Sequence, residues 1–319
     1  MTSSCKNAAQ QNTEHKKSQD KAALNQTSPH KTLPENRNAS DGNAAEKAVS
    51  KGHCLYSKSK LPAADYVINP YIGCTHNCLY CYASFMGRFT GHKEKWGTYI
   101  EPKRFSSMKL PRKQEGTTIL VGSVTDAYNP AEKKYRLMPG ILEALRNSKA
   151  HVEILTKSKL ILRDMELLKQ IPDLSVGVSL AFSSQQDAGN LEPGAASVQE
   201  RLDTLKSLHQ NGISTYLFVA PYFPEITNLR QLVASTEGFV DSVCVENLNL
   251  RGSYKATVIE YIANHHPRLL PLYQEIYVMG MGKAYWNRLE QEMAELREHM
   301  KVPLISYLYH EEIKKQDKK

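Results

Sequence analysis

Short apolar runs alternate with stretches of helical period along most of this chain. Runs at 65–70, 118–122, 152–156, 174–182, 213–220 and 240–246 are rich in Val, Ile and Leu and predict strands, and a last apolar run covers 302–308. Between them, apolar residues return at helical spacing over 82–89, 130–147, 160–171, 198–210, 229–236, 256–264 and 284–300. In 130–147 the apolar face is made by Tyr135, Leu137, Ile141, Leu142 and Leu145, and 198–210 runs into Asn211-Gly212, a helix stop. Six or seven strands, each followed by a helix, point to a parallel sheet with its helices outside, because strands buried on both faces read as unbroken apolar runs. No glycine-rich nucleotide fingerprint follows the first strand, as it would in a Rossmann sheet. The expected α/β fold is therefore a partial, open barrel, although period alone does not separate a barrel from a doubly wound sheet.

Composition divides the chain. Residues 1–50 are rich in Asn, Gln, Ser, Lys and Ala, contain no aromatic residue and show no sustained apolar period, which predicts a disordered polar tail. The barrel is expected over 51–250, with a helical C-terminal extension at 251–319 that completes it. With 319 residues and 41% hydrophobic content, the chain can bury a core. No apolar run is long enough to cross a membrane and the N-terminus lacks an apolar leader, so the expected location is the cytoplasm. A net charge of +8 and a pI near 9.0 suit an acidic partner such as nucleic acid, and equally an excess of solvated lysine. The basic residues Lys93, Lys95, Lys103, Arg104, Lys109, Arg112 and Lys113, with Trp96, Tyr99 and Phe105 interleaved, form a stretch able to touch a nucleic-acid backbone and stack a base; ordinary loop surface has the same composition.

The chemistry concentrates in Tyr71-Ile72-Gly73-Cys74-Thr75-His76-Asn77-Cys78-Leu79-Tyr80-Cys81. Three soft thiolate ligands on one short loop suit a single metal centre. Two readings fit them. Zinc, closed by His76 or a distant histidine, would make a metal-stabilised nucleic-acid-binding protein without catalysis. An iron–sulfur cluster would keep one coordination position for a small molecule. Cys5, Cys54 and Cys244 are scattered and read as incidental thiols.

The spacing of Cys74, Cys78 and Cys81, with Tyr80 just before the last, resembles the signature of the radical S-adenosylmethionine (SAM) superfamily. Segments 121–128, 155–158 with 162–164, 176–180, and 191–194 with 200–202 look like its spore photoproduct lyase-like branch, and the chain is also similar to the radical SAM mobile pair proteins. The resemblance implies a (β/α)6 barrel of the TIM type, a [4Fe-4S] cluster on Cys74, Cys78 and Cys81, and SAM on the fourth iron. It also implies reductive cleavage to a 5′-deoxyadenosyl radical that abstracts hydrogen from a substrate, with an external one-electron reductant of flavodoxin or ferredoxin type. By the same resemblance Lys157 and Ser179 contact SAM, and the backbone of Tyr80 meets its adenine. Where the superfamily shows a Gly-Gly-Glu-like run, this chain has 122–126, making Ser123, Thr125 and Asp126 the expected cofactor contacts there; a turn or helix cap accounts for them equally well. Glu192 and Arg201 are a candidate ion pair. The spore enzyme returns hydrogen from a cysteine at the end of its second strand, and this chain has no cysteine between Cys81 and Cys244, which argues against repair of spore photoproduct. Cys244 reads as a buried core residue or as a substitute donor.

Overall fold

The computed structural model describes residues 52–308; the expected tail, Cys5 and the chain after 308 lie outside the described residues. An eight-stranded sheet carries the fold. Its strands follow strict sequence order: β1 (Tyr66–Ile68), β2 (Thr118–Val121), β3 (His151–Thr156), β4 (Leu174–Ser179), β5 (Ser214–Tyr222), β6 (Ser242–Asn247) and β7 (Leu304–Tyr307). All of these run parallel, and Ser57–Lys58 adds an antiparallel edge beside β1. Right-handed crossovers that always step the same way place the helices that pack on the sheet on one face. A doubly wound sheet needs one reversal of strand order, and none occurs. The choice that periodicity left open therefore falls to the barrel, which stays open because β1 and β7 do not pair.

The two faces of the sheet differ in kind. On the helix side, Ile119, Val121, Val152, Ile154, Val176, Val178, Leu217, Val219, Val243, Val245 and Leu304 enter one apolar core. The helices α1 (Leu137–Leu145), α2 (Gln185–Leu191), α3 (Val198–Gln210), α4 (Leu229–Thr236), α5 (Tyr254–His265), α6 (Leu270–Tyr277) and α7 (Lys283–Arg297) complete the architecture. Ile141 and Leu142 of α1, Leu205 and Leu208 of α3, Leu232 of α4 and Leu289 of α7 pack into that core. Glu153, Ser175, Gly177, Ser179, Tyr216, Phe218, Cys244 and Glu246 alternate with the core residues along the same strands, so they line the other, inner face. A second apolar cluster joins Ala188 and Leu191 of α2, Val258 and Ile262 of α5 and Tyr273 of α6 to Phe182, Phe223, Leu248 and Leu250, which follow strand ends. Tyr80 of the cysteine loop is part of it.

The helices at 198–210 and 229–236 have the expected bounds, because Ser197 forms a capping box with Glu200 and Asn228 caps α4. The stretch 130–147 is instead broken at Arg136, whose φ is 48°. The cause is Glu132: its carboxylate accepts from the amides of Leu137 and Met138 at 3.0 and 3.1 Å, capping α1 from the preceding turn. Tyr71 also donates to it, and Arg163 pairs with it at 2.7 Å and with Asp164 at 2.7 Å. α2 and α6 are not anticipated by the periodicity, being short, and α6 carries a proline in its first turn. Because Glu132 is fully buried, Glu132→Ala leaves two helix amides without their acceptor and Arg163 with Asp164 as its one remaining carboxylate. The expected loss is about 1–3 kcal/mol of unfolding free energy, read from urea denaturation.

Candidate functional site

The cysteine loop leaves β1 through Tyr71–Gly73, which pairs with Ile100–Pro102. Three segments distant in sequence then hold it. From the second strand's end, the Thr125 hydroxyl donates to the Gly73 carbonyl at 2.6 Å. On one side, Gly97 has a φ of +99°, and a Cβ there would stand 2.3 Å from Asn77 Oδ1, so only glycine fits. On the other, the Gly194 amide donates to the His76 carbonyl at 2.9 Å, and a Cβ there would meet the Thr75 carbonyl at 2.4 Å. The Leu79 amide donates to the Leu191 carbonyl at 2.9 Å.

The three cysteine residues keep some surface, yet protein atoms crowd their sulfurs. Burial pushes all three thiols up, Cys74 to about 11, aided by the nearby Asp126 carboxylate. Such thiols stay protonated at neutral pH and ionise when a cationic centre binds them. The Trp96 indole N–H points at Cys81 Sγ at 3.3 Å, a contact that favours the thiolate. Among the described residues no group of three His, Cys, Asp or Glu side chains is arranged to hold a single metal ion. The fit to a cluster thus rests on the donor set: three free thiols on one desolvated loop, within electrostatic reach of one another.

His76 is buried, with Nδ1 3.3 Å from Asp126 Oδ2, and burial holds its pKa below the usual value despite that carboxylate. Asp126 accepts from Thr156 Oγ1 at 2.7 Å, the Lys157 amide at 2.7 Å and the Tyr128 amide at 2.8 Å. Ser123 Oγ accepts from Asn69 Nδ2 at 2.9 Å, and the Ser123 carbonyl accepts from the Tyr82 hydroxyl. Ser123, Thr125 and Asp126 are thus brought to the loop, and their polar atoms are spent largely on fastening it to β2 and β3.

Lys157 and Ser179 meet directly, Nζ donating to Oγ at 2.7 Å, while Ser179 Oγ donates to the Ala220 carbonyl at 3.1 Å. Lys157 Nζ is also 3.8 Å from Glu192 Oε1, and Arg201 lies 2.6 Å from Glu192 Oε2. That last contact has the distance of an ion pair without hydrogen-bond alignment. Tyr80 donates its hydroxyl to Glu192 and lies edge-on to Phe223 at 5.4 Å. Burial alone would raise the Glu192 pKa; Arg201, Lys157 and Tyr80 outweigh it and hold the carboxyl below its usual range. Arg201 and Glu192 are 1% and 2% exposed and neutralise each other, which leaves the Lys157 ammonium, near Cys78, and the Asp126 carboxylate, near Cys74, as the charges facing the cysteines.

Several placements differ from expectation. Trp96 is turned onto the cysteine loop and Tyr99 is buried, stacked on His92 at 4.0 Å, so these two rings face inward. The aromatic rings left exposed beside the loop are Tyr82, Phe85 and Phe89 on the 3-10 helix after Cys81, at 48%, 44% and 67%; their spacing in the sequence was the available signal. Of the basic residues nearby, Lys103 is mostly covered, and burial pushes its pKa down to about 8. Cys54 is disulfide-bonded rather than an incidental thiol. Cys244 is buried, as expected, and lies on the inner face beside Tyr307, at the register level of Phe218 and Ser179.

Known proteins share both the pattern and the fold. Residues 68–229 match the family model described as the Radical SAM superfamily. An uncharacterised protein of Methanocaldococcus jannaschii is 35% identical over 235 residues, covering 74% of this chain and 86% of that one. An uncharacterised Mycobacterium bovis protein is 31% identical over 266 residues, covering 76% and 78%. Among solved structures, spore photoproduct lyase complexed with dinucleoside spore photoproduct superposes with a TM-score of 0.50 at 15% identity, over 70% of this chain and 76% of that one, a likeness of fold. The matched residues include all three cysteines, Lys157 and Ser179, and the chain belongs to the radical SAM superfamily.

Proposed function

We propose that this radical SAM enzyme works through a cluster on Cys74, Cys78 and Cys81 and a cofactor seated across the ends of β3 and β4. The observation that carries the reading is the Lys157 ammonium, not consumed by the Glu192–Arg201 pair, hydrogen-bonded to Ser179 and near enough to Cys78 to act on its charge. When bound, a [4Fe-4S] cluster supplies the electron that cleaves the sulfonium of SAM, and the resulting 5′-deoxyadenosyl radical abstracts hydrogen from the substrate. The chain's own part is to bind, orient and exclude water. Lys157 pairs with the cofactor's carboxylate through a charge-assisted hydrogen bond, which the protein can supply without desolvating a second lysine. Ser179 holds that ammonium in place and offers its own oxygen to the ligand. The Tyr80 ring is fixed by Glu192 and Phe223, so its backbone presents a rigid edge to the adenine. Ser123, Thr125 and Asp126 complete the cofactor pocket while setting the height of the loop above β2. The electron comes from an external one-electron carrier of flavodoxin or ferredoxin type.

Anaerobic reconstitution tests this. The parent protein should turn brown and, with dithionite, convert SAM to 5′-deoxyadenosine, and Cys78→Ala should abolish both. Stoichiometric zinc with no cluster and no cleavage would falsify the proposal and favour a zinc-stabilised nucleic-acid-binding protein. Lys157→Ala removes one charge-assisted contact, worth about 1.5–3 kcal/mol, so the reconstituted variant should bind SAM on the order of 10- to 100-fold more weakly. Equilibrium dialysis with labelled SAM reads that shift, and an unchanged affinity would take Lys157 out of the site.

A further inference from the structure

The segment that carries Trp96 is tied to both ends of the cysteine loop. The Thr98 amide and hydroxyl donate to the Lys95 carbonyl at 3.1 and 2.7 Å and close a turn around Trp96 and Gly97. Gly97 presses on Asn77, next to Cys78, while a Cβ on Gly73, next to Cys74, would stand 2.5 Å from the Tyr99 carbonyl. The Trp96 ring meets Tyr99 edge-on, at 5.9 Å and 87°. Tyr99 is itself buried, lies flat on His92 and shares a 3.0 Å hydrogen bond with Thr90. The indole is thus fixed in place and in orientation, with Nε1 3.3 Å from Cys81 Sγ. Among the described residues it is the one side chain that donates to any of the three cysteine sulfurs.

A thiol sulfur is a weak acceptor, so an N–H aimed at Cys81 contributes little while that side chain is neutral. Packing does not require the nitrogen either, since a phenyl ring can lie edge-on to Tyr99 as well as an indole can. The same N–H becomes a charge-assisted donor once the sulfur is negatively charged. A sulfur that ligates iron carries such charge, and carries more of it after the centre takes up an electron. A donor on that sulfur therefore stabilises the reduced state over the oxidised one, and hydrogen bonds to ligand sulfurs are among the determinants of iron–sulfur potentials.

We propose that Trp96 raises the reduction potential of the cluster by donating its indole N–H to the Cys81 sulfur, which makes the centre easier for its one-electron carrier to reduce. This assignment rests on the proposed function, because it takes Cys81 to ligate a [4Fe-4S] cluster. Trp96 is a positioning residue in that scheme and acts through Cys81. The electron comes from the external carrier, the indole keeps its proton, and no bond is formed or broken.

The test is a redox titration of the reconstituted full chain without SAM, with the reduced cluster counted by its low-temperature electron paramagnetic resonance signal. Trp96→Phe keeps an aromatic ring against Tyr99 and removes the donor. At equal ambient potential its ratio of reduced to oxidised cluster should fall about tenfold, which for a one-electron couple is a midpoint about 59 mV lower. A ring that only packs gives no shift or the opposite sign, because water admitted beside the sulfur favours the more negatively charged state. Trp96→benzothienylalanine keeps the shape of the indole without its N–H and should lower the midpoint equally; it decides the matter where Trp96→Phe holds no cluster. A midpoint unchanged or raised in either variant, at the parent's iron and sulfide content, overturns the assignment. So does loss of the cluster from both, which would make Trp96 a support of the loop. A parent chain that takes up no cluster removes the proposed function and this assignment with it; that outcome is read from iron and sulfide content before any titration.

Discussion

Glu192 is a buried carboxylate that the fold can tolerate only because Arg201, Lys157 and Tyr80 converge on it. Each partner comes from a different part of the chain: α3, the end of β3 and the cysteine loop. Satisfying one desolvated charge therefore fixes the relative positions of three segments that share no local structure. The pair also sets the electrostatics of the mouth. Arg201 is consumed and Lys157 is only partly used, so the Lys157 ammonium faces the cysteines from one side as the Asp126 carboxylate does from the other.

The sheet supplies the other half of the arrangement. With the sheet-packed helices on one face, each strand is divided into a helix-side set that is apolar and an inner set free to be polar. That division lets Glu153, Tyr216, Cys244 and Ser179 stand inside without cost to the core. It also explains why Tyr216 crosses over Gly177 to reach Glu153 at 2.5 Å: any side chain at Gly177 would occupy the space of that ring.

Strands and the longer helices were legible in the sequence because their signals are local. The bounds of 198–210 follow from Ser197, Glu200 and Asn211-Gly212, all within the segment itself. The break at Arg136 was not legible, because the acceptor that causes it, Glu132, is fixed from outside by Arg163 and Tyr71. The same holds at the site. Cys74, Cys78, Cys81, Lys157 and Ser179 announce themselves by spacing and motif. Trp96 read as a surface ring, since nothing in its own neighbourhood says that its N–H will meet Cys81.

The order of anchoring along the chain has a consequence for how the protein is made. The cysteine loop is synthesised before Thr125, Asp126, Leu191 and Gly194, yet those residues hold it. As the chain emerges, the three thiols are exposed and unsupported until α2 and the turn after it arrive. The final shape of the loop is thus set late by the topology: the polypeptide must be complete at least through Gly194 before its three thiols stand in the arrangement seen in the folded chain.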